Sequence, residues 1–459
     1  MTTTTAPHRL WRNARYLTWL VSDTSKGLAS ALFGFAIPLL ALIVTNDPAQ
    51  AGIIAGAGLV TRLLLTLVGG ILADRHRRVL LMLVGSLLGI LLAGAFTLLA
   101  VFDALTFATL LVIDVLLAAR SGLFDVAGES AIKEIVPDDA MGRAQAANQA
   151  RDAALHLAGG PLGGLLLGVG GWLVGLVMTL CHLLAAGTAG LLARGEGAAG
   201  VRENPDPSPD ARRVEARPAV DATADPDFPA ADARRAETGA DVEGTKRSGR
   251  RELREGFAWL FSRPDLGGVL LITTIVNLGF NAAITTAVYA LQQAGHSELL
   301  IGTVSAGIGA VMLLGAVLAP LLVPRVGTGV LTIAGLVVVA VGATVLSAVT
   351  EPWAIALVLG VSVLLLPALN AGMMGYFMVA TPTRLLGRAN GAAAVLGMGA
   401  MPLAPLIAGF GLTGIGRQNT VLVCAALCAV AVVLAVGNRA LRALPVEARW
   451  AAHAARYER

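Results

Sequence analysis

Residues 17–43 read LTWLVSDTSKGLASALFGFAIPLLALI. A helix climbs about 1.5 Å per residue, so about 20 residues cross about 30 Å of hydrocarbon. This stretch is long enough to do so and too long for the apolar core of a secretory signal, and the preceding MTTTTAPHRLWRNAR shows no cleavage pattern. We read it as a first membrane span. Helices suit that role because they pair their own backbone polar groups, as hydrocarbon demands. Working outward, comparable stretches recur near 51–73, 79–100, 104–126, 147–171 and 174–193, then near 266–290, 299–323, 327–348, 353–377, 388–412 and 418–438. The pattern predicts an all-α membrane protein with twelve transmembrane helices in two six-helix bundles.

Composition points the same way. Of 459 residues, 56% are hydrophobic and only 14% charged, with a mean hydropathy of +0.74. A soluble domain carries about 25% charged residues to meet water over its surface. The net charge of +4 carries no interleaved basic and aromatic stretches, so we expect no nucleic-acid partner and assign the basic excess to membrane orientation. Cys181, Cys424 and Cys428 all fall in apolar segments without metal-ligand spacing and read as packing residues.

Lysine and arginine then set the topology. With the N-terminus inside, the inner connections hold Arg9, Arg12, Arg15, Arg75, Arg77, Arg78, Lys133, Arg143, Arg325, Arg384 and Arg388, while the outer ones hold Arg417 alone. That is the positive-inside imbalance, and it places both termini in the cytoplasm of a multi-pass inner (plasma) membrane protein. The chain divides into an N-terminal tail (1–16), an N-terminal bundle (17–193), a linker (194–265), a C-terminal bundle (266–438) and a C-terminal tail (439–459). The linker is rich in Asp, Pro, Ala and Arg and poor in apolar residues, a composition that cannot offset its ordering entropy. Its last part, RRELREGFAWLFSRP, has the mixed character of a short interfacial helix.

An internal echo supports two halves. Gly142-Arg143-Ala144 precedes the fifth span and Gly387-Arg388-Ala389 the eleventh, followed by Pro161-Leu162-Gly163 and Pro402-Leu403-Ala404. Paired bundles of this kind suit a carrier that exposes one central site to each side in turn.

Between the second and third spans stands Gly69-Gly70-Ile71-Leu72-Ala73-Asp74-Arg75-His76-Arg77-Arg78. It resembles the G-x-x-x-D-R-x-x-R-R loop of the major facilitator superfamily. Tyr16-Leu17-Thr18-Trp19-Leu20, Ala36 to Leu42, Arg62, Ala147-Asn148, Gly159-Gly160-Pro161 and the Gly387-Arg388 loop extend the likeness. Within the superfamily the chain resembles drug and small-molecule exporters of the macrolide-efflux and enterobactin-exporter type. The resemblance implies the major facilitator fold, efflux or antiport, and a cytoplasmic gate at Gly70, Asp74, Arg75 and Arg78. The matching loop between spans eight and nine, Gly315 to Gly327, has no aspartate and keeps only Arg325, so the implied gate is lopsided toward the N-terminal half. Read physically, Asp74 at the cytoplasmic end of the second span can reach neighbouring helix N-termini and basic side chains as a latch that favours the inward-closed state, and Gly69 and Gly70 permit close helix approach. The plainer reading is that the arginines orient the loop and Asp74 caps a helix.

Charges inside the spans supply the other candidates. Asp114 sits mid-span in LLVIDVLLAAR and Arg62 mid-span in GLVTRLLL. A carboxylate at that depth costs roughly 2.5–3.5 kcal/mol on insertion scales unless protonated, paired or wetted. Paired across facing helices, the two would form a proton-operated switch or a static orienting pair. Asp23 and Lys26 share a helical face and are a second proton-coupling pair or a satisfied internal one. Arg120 and Asp125 read as gate contacts, and Glu129 with Lys133 as a solvated helical pair. Asn277, Asn281, Tyr289, Asn370 and Met373 are substrate-cavity candidates, offering amides and adaptable apolar surface; interhelical bonding is the alternative for the amides.

No His-Glu-x-x-His motif, P-loop or protease-like pair stands in the chain, so an enzyme is not expected and ATP is not the direct driver. The expectation is a monomeric secondary active transporter without cofactors. It would export a hydrophobic or amphipathic small molecule, driven by a proton gradient, with membrane lipid around it. An uptake permease shares the same topology, and a receptor or assembly protein that keeps the fold without transport is the alternative from another class.

Overall fold

The computed structural model describes residues 12–136, 138–202, 254–382 and 385–457. The tail before residue 12 and the linker centre, 203–253, lie outside them. The first half comprises α1 (Ala14–Thr45), α2 (Pro48–Arg75), α3 (Arg78–Val101), α4 (Phe107–Ile135), α5 (Asp138–Val169) and α6 (Gly171–Arg202). After the linker come α7 (254–262), α8 (Gly267–Gln293), α9 (Glu298–Leu322) and α10 (Thr328–Leu346). Then follow α11 (Pro352–Val363), α12 (Leu366–Ala380), α13 (Leu386–Gly399) and α14 (Leu403–Gly437), with short α15 (Arg439–Arg442) and α16 (Trp450–Ala454) at the end.

Local chemistry sets the boundaries. The Asn13 side chain accepts the amides of Arg15 and Tyr16 and starts α1, and Asn46 closes it in the left-handed conformation. Asp47 caps α2, whose first residue is Pro48. Thr106 and Thr109 exchange bonds in a capping box that opens α4. Several helices outrun the apolar stretches that announced them. α4 continues to Ile135 and α5 begins at Asp138, because a helix continues with polar side chains once it has left hydrocarbon. The expected tenth span is broken between α11 and α12, where Pro367 near the start of α12 cannot donate to the preceding turn.

Among the described residues, eleven helical stretches are long and apolar enough to cross a bilayer. The last runs 50 residues, Arg388–Gly437, which at about 1.5 Å per residue would span more than twice the hydrocarbon. Inside it Gly416 adopts φ 77°, and a methyl group at Gly411 would collide with the Thr420 side chain. Residues on either side of Gly416 therefore face each other, so the chain folds back there. Large apolar side chains such as Leu64, Leu91, Leu357 and Val433 stand outward on many helices, Val433 69% exposed. A water-soluble protein does not display apolar surface on this scale, whereas lipid accepts it.

Chain termini orient the description. The starts of α1 and α3 and the end of α4 meet on one side, through Asn13 Nδ2 to the Ile135 carbonyl (3.4 Å) and Arg78 Nη1 to the Ser130 carbonyl (3.0 Å) and Glu134 (3.2 Å). The end of α14 reaches the start of α8 on the corresponding side of the second half, at Asn438 and Gly268. We call this the terminus-bearing side. The two halves meet along two seams away from it. Gly52, Gly56 and Gly409 bring α2 against α14, with Pro405 and Pro48 carbonyls where side chains would be. Gly160, Gly164 and Gly302 do the same for α5 and α9. Such small residues let helix backbones touch.

Candidate substrate cavity

On one face of α1, Trp19, Asp23, Lys26 and Ser30 follow one another at helical spacing. Asp23, Lys26 and Ser30 line a cavity of about 250 Å³ on the terminus-bearing half of the first bundle. Arg62 from α2 and Asp125 and Glu129 from α4 line it as well. So do Arg151, Asp152 and His156 from α5. Asp23 holds two cations at once, Lys26 Nζ at 3.0 Å and Arg151 Nη2 at 2.9 Å. Arg151 also pairs with Asp152 at 2.8 Å, and its guanidinium stands 5.8 Å from the Trp19 ring centroid. The Trp19 Nε1–H donates to the Gly128 carbonyl at 3.0 Å, so α1, α4 and α5 are pinned together behind the cavity wall. Asp125 accepts Arg120 Nη2 at 3.1 Å and Ser121 Oγ at 2.5 Å.

Three of the four lining carboxylates are thus engaged by cations. Arg62 and Glu129 are not: both are exposed to the cavity, and neither forms an ion pair or hydrogen bond among the described residues. Arg151 Nη1 is buried and likewise lacks an acceptor. The wall is consequently dipolar, with structural ion pairs between one uncommitted cation and one uncommitted anion.

The sequence candidates fall into place unevenly. Asp23 and Lys26, which share a helical face, pair with each other, and Arg120 and Asp125, read from sequence as gate contacts, also pair with each other. The structure does not bring Arg62 and Asp114 together. Asp114, 4% exposed, lays its carboxylate where Gly58 has no side chain, and its Oδ2 has no hydrogen-bond partner among the described residues. Arg62, one turn further along α2, enters the cavity, which Asp125 also lines. Tyr289 of the second half is buried with its hydroxyl unpartnered and lies within electrostatic range of Asp114. Asn277, Asn281, Tyr289, Asn370 and Met373 do not line this cavity. The Asn281 amide donates to its own helix at the Asn277 carbonyl, 2.8 Å away, and Asn370 is exposed elsewhere. Of the two glycines in the 69–78 loop, Gly69 packs against the Gly122 backbone of α4, but Gly70, a third of a turn round, meets nothing. Arg75 is exposed and Arg78 ties α3 to α4. The Asp74 and Lys133 side chains lie outside the described residues.

A second polar cluster escaped the sequence reading. On the terminus-bearing side of the second half, fully buried Asp265 receives Arg263 through two bonds, 2.9 and 2.8 Å, and the Tyr376 hydroxyl at 2.5 Å. Burial opposes charge on Asp265, but the bonds from Arg263 and Tyr376 outweigh it and hold its carboxyl below the usual aspartate range. The C-terminal segment folds over this cluster. His453 meets Tyr376 edge-on at 5.9 Å and Tyr457 at a tilt at 5.6 Å, and Arg263 stands over Tyr457 at 5.3 Å. Trp450 packs on Gly375, and its Nε1–H donates to Thr328 Oγ1 at 2.9 Å. Burial, with nearby Arg456, lowers the His453 pKa.

A family model described as the Major Facilitator Superfamily matches residues 24–405. The chain belongs to that superfamily. It is a secondary membrane transporter, not an enzyme. No curated protein sequence matches it. Among solved structures, a bacterial homologue of the iron transporter ferroportin in an inward-facing state aligns with TM-score 0.65 at 14% identity, covering 92% of this chain and 97% of that one. A bacterial metal transporter aligns with TM-score 0.58 at 14% identity, over 94% and 99% of the two chains. A mutant form of the nucleoside transporter NupG aligns with TM-score 0.57 at 12% identity, over 92% and 100%. At such identities the likeness is one of fold. Nothing in these matches singles out the macrolide-efflux or enterobactin-exporter branch of the Major Facilitator Superfamily.

Proposed function

We propose that this chain is a proton-coupled secondary transporter that exports a small amphipathic solute by alternating access. In this reading it crosses the inner membrane twelve times as two six-helix bundles, the fold-back at Gly416 separating the last two crossings, with both termini cytoplasmic. The glycine seams close the outer side, and the polar cavity of the first bundle is then the cytoplasmic vestibule. The charged lining favours an amphipathic over a purely hydrophobic solute, because lone apolar matter gains nothing from a wall of guanidinium and carboxylate groups.

One observation carries the coupling: Asp114 is buried beside the interface of the two halves with an oxygen that nothing satisfies. A bare carboxylate in that position is costly, and a proton removes the cost. Opening the seams would wet Asp114 and let it exchange that proton with the outside. Asp23 is the second proton candidate, already tied to Lys26 and Arg151. The test is solute-driven proton flux in proteoliposomes carrying Asp114→Asn. Solute exchange without proton movement is expected; unaltered coupling would remove Asp114 from the role. Accumulation of solute against its gradient in inside-out vesicles separates export from uptake.

A further inference from the structure

Most charge in the vestibule is structural. Asp23, Asp125 and Asp152 are each bound to an arginine or lysine that belongs to the protein. What remains for a guest is the Arg62 guanidinium and the Glu129 carboxylate, both exposed in the cavity. The cationic and anionic groups are not adjacent. The Arg62 backbone touches Gly122 of α4, and Glu129 lies seven residues further along that helix, about 10 Å along its axis.

Taking the reading of this cavity as a substrate vestibule, we infer that it selects a small zwitterion: a solute with an anionic head for Arg62 and a separate basic group for Glu129. A guanidinium recognises a carboxylate or phosphate through paired, charge-assisted bonds. Glu129, acceptor-only when ionised, takes an ammonium. The cavity of about 250 Å³ lies below the roughly 300–1,000 Å³ of drug-sized sites, so the solute is compact. A purely anionic guest leaves Glu129 facing it, and a purely cationic one faces Arg62. A divalent cation fares worse. Hard cations take six to eight oxygens, yet three of the four carboxylates are already neutralised by cations in the same wall. No grouping of three or more His, Cys, Asp or Glu side chains suited to a metal occurs among the described residues.

The test is binding to the purified full-length protein, followed by thermal shift, so it needs no transport. Probes are 6-aminohexanoate, whose charges are separated, its one-charge counterparts hexanoate and hexylamine, and Mn²⁺. Stabilisation by 6-aminohexanoate above both counterparts is expected. A charge-assisted bond is worth about 1.5–3 kcal/mol, so Arg62→Gln and Glu129→Gln should each weaken that binding about tenfold or more, while Arg62→Lys keeps part of it. Both side chains are exposed, so these variants fold; unshifted melting without ligand checks this. Equal stabilisation by hexanoate, preference for Mn²⁺, no response to any probe, or binding indifferent to both substitutions would overturn the zwitterion. Any of those results leaves proton-coupled transport standing, because that is decided by flux with Asp114→Asn. Intact zwitterion binding with no flux would instead remove transport and keep the site.

Discussion

Asp265→Asn is the substitution whose consequence the structure predicts most fully. The carboxylate is fully buried, the Arg263 side chain is 5% exposed, and two bonds of 2.9 and 2.8 Å join them. Removing one member of a buried pair leaves the other charge uncompensated, at about 3–5 kcal/mol. At roughly 2–4 °C per kcal/mol for domains of 150–250 residues, melting in detergent should fall by about 6 °C or more. Replacing the whole set, Arg263→Met with Asp265→Leu and Tyr376→Phe, leaves no orphaned polar group and should recover most of the loss. Acid provides an independent check. The folded carboxyl titrates below its ordinary value of about 3.9, so its contribution is complete above that pH and disappears as pH falls through the lower folded value. The gap between wild type and Asp265→Asn should therefore close below about pH 4 and stay constant above it. A single variant that melts like wild type, or a triple variant no better than the single one, would refute the argument.

Three further outcomes are expected. Asp23→Ala strips the shared partner from Lys26 and Arg151, whereas Asp152→Ala breaks a pair whose acid is 55% exposed; thermal melting should show the first clearly destabilised and the second changed by less than about 1 kcal/mol. Gly52→Val drives a side chain into the Pro405 backbone, an overpacking of about 1–3 kcal/mol, and should speed labelling of a cysteine at buried Ala49 by an impermeant thiol reagent applied from the outer side. Trp450→Ala empties the niche on Gly375 and loses the bond to Thr328; about 3–5 kcal/mol of local packing goes with it, and limited proteolysis should cut the C-terminal segment sooner.

What the sequence made legible was set by hydrocarbon. Apolar runs of span length announced α1 to α6 and α8 to α10, because nothing else in a chain produces them. Helix ends were less legible: α4 and α5 extend well into polar sequence, where hydropathy says nothing about helicity. Within the site, Asp23 and Lys26 are legible as a pair because they lie three residues apart on a single helix, whereas the five-residue spacing of Arg120 and Asp125 does not announce one. Nor was Arg151 legible as one of a pair. It stands near the edge of an apolar stretch, where a basic residue reads as an interfacial anchor, and its partner Asp23 is on another helix. The charge pair Arg151-Asp152 inside QAANQARDAALHL was the available signal. Asp265 and Tyr376 are 111 residues apart, and no local pattern links them. Arg62 and Asp114 were matched by opposite charge and similar depth; the empty slot at Gly58 that receives the carboxylate is a property of packing. The C-terminal amides were chosen for chemistry alone, and the cavity formed on the other half.

The seams between the halves are built mainly of carbonyl oxygens, prolines and bare α-carbons, with the Glu298 carboxylate at the end of one of them. Dissolved ions screen full charges and leave such atoms untouched. The grip of the seams themselves should therefore respond little to ionic strength and more to bilayer thickness and lateral pressure, leaving the charged vestibule as the place where dissolved salt acts on the molecule.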